Sequence, residues 1–340
     1  MKELIIFSLN AKSPGIDVII SEFSIALKKR GYNVRIEYSL TMVKNNKHLQ
    51  IIPYGPKETY LLLCLGYKCN LSLMVDYYSL GCRNKLLFYL AHKKIYYKDF
   101  WYSLISFIRY YRKESYIFSK VQNFMFVSKQ DISIIKKRFP LKNYYYVGNG
   151  VNLQKDCNSS KDGYEIKLGI LSHWTFVSLD ECRWFINDIF NKLRIRFPNI
   201  KLVIAGRGAN QAIRDTFISQ PSICFLGEIN NLSDFFNNID IYVATVPKGC
   251  GILNKVLDAF AYRTFTIGVE ASFSAFRDLK EGYVVCKHLS DYIDAINLYL
   301  TNSVQVNRYI NNAYMYVEEN HQWGKNYNNF IDELIKDNVI

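Results

Sequence analysis

Short apolar runs alternate with helical segments between residues 167 and 268, and this alternation limits the possible folds. Such a pattern is typical of a parallel sheet covered by helices on both faces, whose ligands bind beyond the carboxyl ends of the strands. The sequence therefore predicts an α/β fold with its binding site in the loops that follow the strands. Strands are predicted at 167–171, 201–205, 223–226, 241–244 and 264–268, and helices at 179–196, 210–219, 231–238 and within 249–260.

The first half of the chain opens in the same way. An apolar run at 4–9 leads through the loop 10–15 into a helical pattern at 17–30, which a second strand at 33–38 follows. This order predicts a second doubly wound parallel sheet, and two consecutive sheets of this kind leave a cleft between them. Further apolar runs lie at 60–65 and 72–75, helices rich in basic and aromatic residues at 84–118, a helix that begins at Ser128, and strands at 123–127 and 144–147.

A polar, turn-rich segment at 153–165 divides the chain. Such a change in composition indicates a linker. We therefore predict an N-terminal Rossmann-like domain at 1–152, a linker at 153–165 and a C-terminal Rossmann-like domain at 166–322. A last helix at 323–340 is expected to return to the first domain.

Positive charge is concentrated in the first half. Residues 1–150 carry 24 Lys and Arg against 9 Asp and Glu, whereas residues 151–340 carry 19 against 21. A basic surface can bind nucleic acid, anionic lipid or an anionic substrate. The alternative is that these residues lie on solvated helix faces without a binding role. The sequence has no zinc finger, RNP-type strand or basic zipper, which argues against nucleic acid. Tyrosine, tryptophan and lysine together favour a membrane surface.

The remaining composition suggests a cytoplasmic protein at the inner face of the cytoplasmic membrane. No run of about 18 apolar residues occurs, and the first apolar run is too short for a signal peptide. The eight cysteines are scattered without C-x-x-C pairs, so neither a zinc site nor a disulfide framework is expected.

The stretch GCGILNKVLDAF, residues 249–260, carries the clearest chemistry. Gly249 and Gly251 allow backbone amides to approach an anion at a helix N-terminus, and Lys255 adds a positive charge there. Asp258, three residues further, can accept hydrogen bonds from the vicinal hydroxyls of a ribose. The alternative is a surface pair worth only about 0.2–0.5 kcal/mol.

Three blocks in the second half resemble the nucleotide-sugar domain of family-4 retaining glycosyltransferases. They are LVIAGRGAN, ICFLGEINNLSDFFNNIDIYVATV and GCGILNKVLDAFAYRTFTIGV, and in the first half FVSKQD and YYYVGNGVN are similar to the same family. The pattern G-x-G-x-x-x-K-x-L-acid looks like the subgroup found in bacterial polysaccharide clusters. The resemblance implies the GT-B fold, in which two Rossmann-like domains face a central cleft. It also implies that the domain at 1–152 binds the acceptor and that the domain at 166–322 binds the nucleotide-sugar donor.

The resemblance also implies roles for individual residues. Asp258 matches the ribose-binding position, and Lys255 with Arg207 would neutralise the diphosphate of the donor. Gly15 matches a loop that faces the donor phosphate. The other implied donor contacts are Ser172, His173 and Trp174 for the diphosphate and sugar, Gly227 and Glu228 beside the base, and Gly249, Cys250, Gly251 and Ile252 in the glycine-containing loop. For His173, packing in the core is an equally open alternative.

The sequence departs from the family at four places. Lys248 replaces the usual acidic residue at the start of the GCG block, where the family binds hydroxyls of the donor sugar. Asp258 is shorter by one methylene than the usual glutamate, and no Arg or Lys follows His173 and Trp174, where many members keep one. The first loop has Pro14, Gly15 and Ile16 in place of a glycine pair.

Transfer from a nucleotide sugar requires stabilisation of a departing diphosphate, which cations at a helix N-terminus supply without a metal. We therefore expect no metal and no cofactor. Asp76, after the run 72–75, is a candidate acid or base on the acceptor side, and the same position also suits a helix cap.

The expected activity is retaining transfer of a sugar to a glycan or a lipid-diphosphate-linked acceptor in synthesis of capsule, O-antigen or exopolysaccharide. A catalytically inactive glycan- or membrane-binding protein of the same fold and a nucleotide-sugar epimerase remain as alternatives. An epimerase would consume donor without acceptor.

Overall fold

A computed structural model of the 340-residue chain describes residues 3–9, 14–44, 46, 48–154, 165–218 and 220–340. These residues form parallel β-sheets covered by helices, which confirms the predicted α/β class. In chain order the strands are β1 (Glu3–Phe7), β2 (Asn33–Glu37), β3 (Gln50–Pro53), β4 (Leu71–Val75), β5 (Asn123–Phe126), β6 (Asn143–Tyr146), β7 (Ile166–Leu171), β8 (Ile200–Ala205), β9 (Ile223–Gly227), β10 (Ile241–Ala244), β11 (Phe265–Gly268) and β12 (Val284–Val285).

Most helices lie between consecutive strands, as parallel pairing requires. A π-helical turn, Ile186–Phe190, joins α7 to α8, and a 3₁₀ helix, Glu270–Phe276, follows β11. The α-helices are α1 (Pro14–Lys28), α2 (Leu40–Lys44), α3 (Pro56–Cys64), α4 (Tyr78–Ala91), α5 (Lys98–Lys120), α6 (Lys129–Arg138), α7 (Phe176–Phe185), α8 (Asn191–Arg196), α9 (Gln211–Ile218), α10 (Leu232–Phe236), α11 (Asn254–Ala261), α12 (Leu289–Thr301), α13 (Ser303–Asn320) and α14 (Trp323–Lys336).

The strands of the N-terminal half, residues 3–154, run in the order β2-β1-β3 and β4-β5-β6. A parallel bridge between Tyr54 and Leu73 joins the edge of β3 to that of β4, and the amide of Gly55 donates to the carbonyl of Leu73 at 2.8 Å. All five residues of β4 are buried, as expected for a parallel strand covered on both faces.

The strands of the C-terminal half, residues 165–340, run in the order β12-β11-β10-β7-β8-β9. Read from β9, this is the doubly wound order 3-2-1-4-5-6. The direction of winding therefore reverses between β7 and β10. In such sheets the ligand crevice opens beyond the carboxyl ends of these two strands.

Most of the elements that the sequence predicted lie within two or three residues of their observed bounds, whereas α2, β12, α12 and α13 were not predicted. The apolar run 60–65 lies mostly in helix α3, and the strand β3 was not predicted. The four residues of β3 are too few to show a period, whereas Pro56 starts α3 at the position that proline favours.

The C-terminal helix α14 packs against α1. Phe330 of α14 stacks near Phe23 of α1 with ring centroids 5.5 Å apart, and Arg30 pairs with Asp332 at 2.7 Å. Phe330 and Phe23 are both fully buried. The last helix of the chain therefore contributes to the core of the N-terminal half.

A buried ionic cluster joins the two halves beside α7. Lys85 Nζ of α4 donates to Asp99 at 3.0 Å and to Glu181 of α7 at 2.6 Å. Asp180 of α7 accepts from the amide of Asp99 at 3.1 Å, and the Tyr89 hydroxyl donates to Asp99 at 2.9 Å. The halves are thus held in direct contact by charged groups from which water is largely excluded.

Among the helices of the described ranges, none combines the length and the apolar character needed to cross a bilayer.

Candidate functional site

The loops after β7, β8, β9 and β10 meet at one edge of the second sheet. The amide of Ser172 donates to the carbonyl of Ala205 at 3.0 Å, and the amide of Trp174 donates to the carbonyl of Arg207 at 2.9 Å. The amide of Gly206 donates to Gly227 at 2.7 Å, which closes the edge across the next strand. These bonds fix the backbone on the β7 side of the crevice at which the winding of the sheet reverses.

The loop between β10 and α11, residues 245–253, forms one wall of this crevice. Gly249 and Gly251 have φ values of 59° and 63°, in the left-handed region that other residues avoid. The glycines do not lead directly into the helix, as the sequence suggested, because α11 begins only at Asn254. Lys255 therefore lies in the first turn of α11, and Asp258 lies one turn further along.

Lys255 reaches from α11 towards the end of β7. Its Nζ lies 3.5 Å from the Ser172 hydroxyl, and within the described residues it forms no salt bridge. Burial lowers the pKa of Lys255 to about 8, and the charge of Arg207 acts in the same direction although Glu181 and Asp258 oppose it. An anion placed between Lys255 and Arg207 would offset both the burial of the Lys255 ammonium and its repulsion by Arg207.

Asp258 faces the same half-buried space. Burial raises its pKa to about 7, against the opposing effect of Lys255. Within the described part of the chain, its carboxylate accepts no hydrogen bond from another residue. Both oxygens are therefore available to hydroxyl groups of a ligand.

The other predicted donor contacts differ in exposure. Arg207, His173 and Glu228 are exposed at the rim, so His173 does not serve as a core residue. Trp174 is buried, with its ring 5.1 Å from that of Phe217, so its indole packs in the core and only its backbone borders the crevice. Cys250 is buried, and Ile252 is half-buried in the loop. Gly15 lies in the first turn of α1, but the loop at 10–13 before it is outside the described residues.

Asp76 enters the crevice from the N-terminal half. Its amide donates to the carbonyl of Met74 at 2.8 Å around Val75, whose φ of 67° is rare for a β-branched residue. This tight turn directs the Asp76 carboxylate to the glycine-containing loop, where it forms an ion pair with Lys248. A Cβ atom on Gly251 would lie 1.8 Å from Asp76 Oδ1, so the two halves meet here without spare room.

Two other carboxylates support this turn, and they resolve the question of the helix cap. Asp131 accepts from the amide of Tyr77 at 2.8 Å, and Glu114 accepts from the amide of Ser79 at 3.1 Å. Asp76 makes no capping hydrogen bond to α4. The cap therefore belongs to Asp131 and Glu114, and the Asp76 carboxylate pairs with Lys248 at the crevice instead.

Asp131 also links the two halves directly, and sequence reasoning missed it. Its Oδ2 accepts from the amide of Gly251 at 3.0 Å as well as from Tyr77. Burial raises the pKa of Asp131 to about 7, and the negative charge of Asp76 contributes to this increase. The only signal in the sequence was the spacing of Ser128 and Asp131, which resembles the start of a capped helix.

The described residues hold no group of three or more His, Cys, Asp and Glu side chains placed to bind a metal ion.

Residues 167–302 match the family model described as "Glycosyl transferases group 1". No curated protein sequence matches the chain significantly.

Several solved structures share the fold of the whole chain. Sucrose-phosphate synthase from Thermosynechococcus elongatus superposes with a TM-score of 0.72 at 13% identity, covering 99% of both chains. HepE from Anabaena, in complex with UDP and glucose, has a TM-score of 0.64 at 10% identity and covers 99% of this chain and 100% of its own. TarM has a TM-score of 0.56 at 12% identity, with 87% and 56% covered.

These findings establish the class of the protein. The chain has the GT-B fold, and residues 167–302 are similar to group 1 glycosyltransferases. The protein is a glycosyltransferase.

The close contact at Gly251 gives a prediction for stability. Gly251→Ala and Gly227→Ala both place alanine in a left-handed conformation, at φ values of 63° and 73°. No atom lies within 4 Å of a Cβ on Gly227, so Gly227→Ala should cost only about 1–2 kcal/mol. Gly251→Ala must also displace Asp76 and should cost about 1–3 kcal/mol more in urea unfolding. Equal losses would show that Asp76 does not occupy this space in solution.

Proposed function

We propose that the protein transfers a sugar from a nucleotide-sugar donor to a glycan or lipid-linked acceptor in the synthesis of a cell-surface polysaccharide. The observation that carries this proposal is the crevice at the reversal of the second sheet. There, Lys255, Arg207 and Asp258 lie close together, and within the described residues the two cations form no salt bridge and the Asp258 carboxylate accepts no hydrogen bond. A ligand with a diphosphate and a ribose supplies both missing partners.

We assign the donor contacts along this crevice in order. The diphosphate lies between Lys255 and Arg207, near the backbone of Ser172, His173 and Trp174. The ribose hydroxyls donate to Asp258, and the base lies along Gly227 and Glu228. Gly15 and the loop formed by Gly249, Cys250, Gly251 and Ile252 border the phosphate and the sugar.

Loss of the diphosphate leaving group develops negative charge, and fixed cations in a partly desolvated crevice stabilise that charge. Lys255 and Arg207 are the groups placed to do this. The Asp76 and Lys248 pair faces the crevice from the opposite side, where we place the acceptor hydroxyl beside Asp76.

We also propose that the reaction retains the anomeric configuration and needs no metal. The similarity to family-4 enzymes supports retention, and the pair of cations supports metal independence. Turnover in the presence of EDTA, with the anomeric configuration of the product read by NMR, tests both points. Consumption of donor without acceptor would instead favour an epimerase.

The donor site predicts a specific loss of nucleotide affinity. UDP is the appropriate probe because HepE, which shares the fold, has been crystallised with UDP. Lys255→Ala and Arg207→Ala each remove a charge-assisted contact worth about 1.5–3 kcal/mol, so each should weaken UDP binding at least about tenfold in calorimetry.

Lys201→Ala is the matched control for these variants. Lys201 lies at the amino end of β8, at the opposite edge of the same sheet, and pairs only loosely with Glu165 at 3.9 Å. UDP affinity in this control should stay at the wild-type value. If Lys255→Ala and Arg207→Ala bind UDP as tightly as the wild type and this control do, the diphosphate does not lie between Lys255 and Arg207.

The lowered pKa of Lys255 predicts a pH dependence. The ammonium is present below its pKa of about 8 and is lost above it, so the positive charge that binds UDP disappears as the pH rises. Affinity should fall about tenfold per pH unit above that pKa, until the pKa of the bound state is reached. Lys255→Arg keeps its charge throughout this range and should abolish the fall. A decline that persists in Lys255→Arg must come from another group.

We further propose that the N-terminal half binds an anionic membrane surface from the cytoplasmic side through α5. Trp101, Ile105 and Ile108, spaced four and three residues apart on one face of this helix, are 55%, 59% and 53% exposed. Arg109 and Arg112 are exposed beside them. An apolar stripe flanked by arginines suits a helix that lies in the interface of an anionic bilayer.

Vesicle binding tests this surface. The wild type should bind vesicles that contain phosphatidylglycerol at low salt and dissociate as salt rises, because exposed charges are screened. Ile105→Glu should reduce binding at least about tenfold. Leu141→Glu changes an 85% exposed residue outside α5 in the same half and should have little effect. Equal losses in both variants, or binding without salt dependence, would rule out α5 as the membrane face.

A further inference from the structure

A cavity of about 480 Å³ lies between the two halves and shares Gly249 with the glycine-containing loop of the donor crevice. Residues of α4 and α6 line one side, and residues that follow β10, β11 and β12 line the other. In the order of the second sheet, β11 and β12 lie beyond β10, whereas the donor crevice lies between β10 and β7. The side-chain Nδ2 of Asn84 donates to the carbonyls of Lys248 and Gly249 at 3.1 Å each, so the glycine-containing loop lies beside this cavity as well as beside the donor crevice.

The inner wall of this cavity is apolar. Leu80 and Phe88 of α4 face Trp184 of α7, and Val269 and Cys286 complete this part of the lining. Phe88 and Trp184 pack edge to face with centroids 4.8 Å apart. Such a wall offers few hydrogen bonds to a sugar, whereas it suits a hydrocarbon chain.

The rim of the cavity is positively charged. Arg83, Arg277 and Lys287 line it, and Glu270 is the one acidic residue among the described lining residues. Glu270 lies 3.3 Å from Lys287 and 4.0 Å from Arg277, whereas Arg83 forms no salt bridge within the described ranges. A net positive charge therefore remains at the rim, and it suits a phosphate group.

The opening of the cavity continues along exposed apolar residues of α4. Leu87 lines the cavity and is 51% exposed, and Leu90, one turn further, is 53% exposed without lining it. A hydrocarbon chain that leaves the cavity would therefore pass over an apolar surface rather than over charged groups.

We propose that this cavity binds the phosphate and the adjoining hydrocarbon of a lipid-linked acceptor. The phosphate lies at Arg83, Arg277 and Lys287, and the chain lies against Leu80, Phe88 and Trp184. This inference rests on the proposed function, since it gives the same reaction an acceptor of stated chemistry, an alkyl or isoprenyl phosphate ester. It assigns the recognition of that acceptor to both halves of the protein.

Calorimetry with geranyl phosphate tests the site in the full-length protein without donor. Geranyl phosphate should bind at least about tenfold more tightly than geraniol, which lacks the phosphate, and than inorganic phosphate, which lacks the chain. Dihexanoylphosphatidylglycerol represents a membrane lipid with the same chemistry and should bind more weakly than geranyl phosphate. Tighter binding of that lipid would show a phospholipid site and overturn the acceptor assignment.

Two leucines of α4 provide a matched pair of variants. Leu87→Glu places a negative charge at the rim and should weaken geranyl phosphate at least about tenfold, whereas Leu90→Glu should have little effect. Equal effects of the two substitutions would overturn the proposal, as would equal binding of inorganic phosphate. UDP affinity, measured on the same samples, distinguishes failure of the cavity proposal from failure of the donor-site proposal. A wild-type protein that binds UDP but not geranyl phosphate refutes only the cavity proposal. A wild-type protein that does not bind UDP refutes the donor site.

Discussion

The arrangement of the site depends on one buried carboxylate that accepts hydrogen bonds from both halves of the chain. Asp131 receives the amide of Tyr77, which precedes α4, and the amide of Gly251, which lies in the loop before α11. An unpaired amide in such a buried place costs roughly 1–3 kcal/mol, so each loop keeps its conformation partly because the other is present. The turn that directs Asp76 and the loop that borders the donor are therefore positioned together.

The electrostatics of the donor crevice follow from the same closeness. Lys255 and Asp258 lie one turn apart on a helix whose other face is core, and burial moves their pKa values towards each other, to about 8 and about 7. Neither group is fully satisfied by the other. A ligand with both an anion and hydroxyl groups would therefore bind these two groups with a gain in electrostatic free energy.

The sequence predicted those parts of the molecule that depend on local pattern. Alternating apolar runs and helical segments predicted both sheets, because such patterns are visible within a few residues. The glycines followed by Lys255 and Asp258 likewise form a short local motif, and this motif predicted the crevice. The contacts of Asp131 with Gly251 and of Lys85 with Glu181 could not be predicted, since they join positions far apart in the chain. The burial of Trp174 was also hidden, because a tryptophan next to an exposed histidine has no pattern that distinguishes core from rim.

The contact between Asp76 and Gly251 has a consequence for how this protein can change over evolutionary time. The glycine is required by its own backbone conformation and also by a side chain that belongs to the other half. A substitution at either position alters what the opposite half tolerates, so the two halves cannot be exchanged independently with those of a homologue. A chimaera that joins them must inherit both residues from one parent.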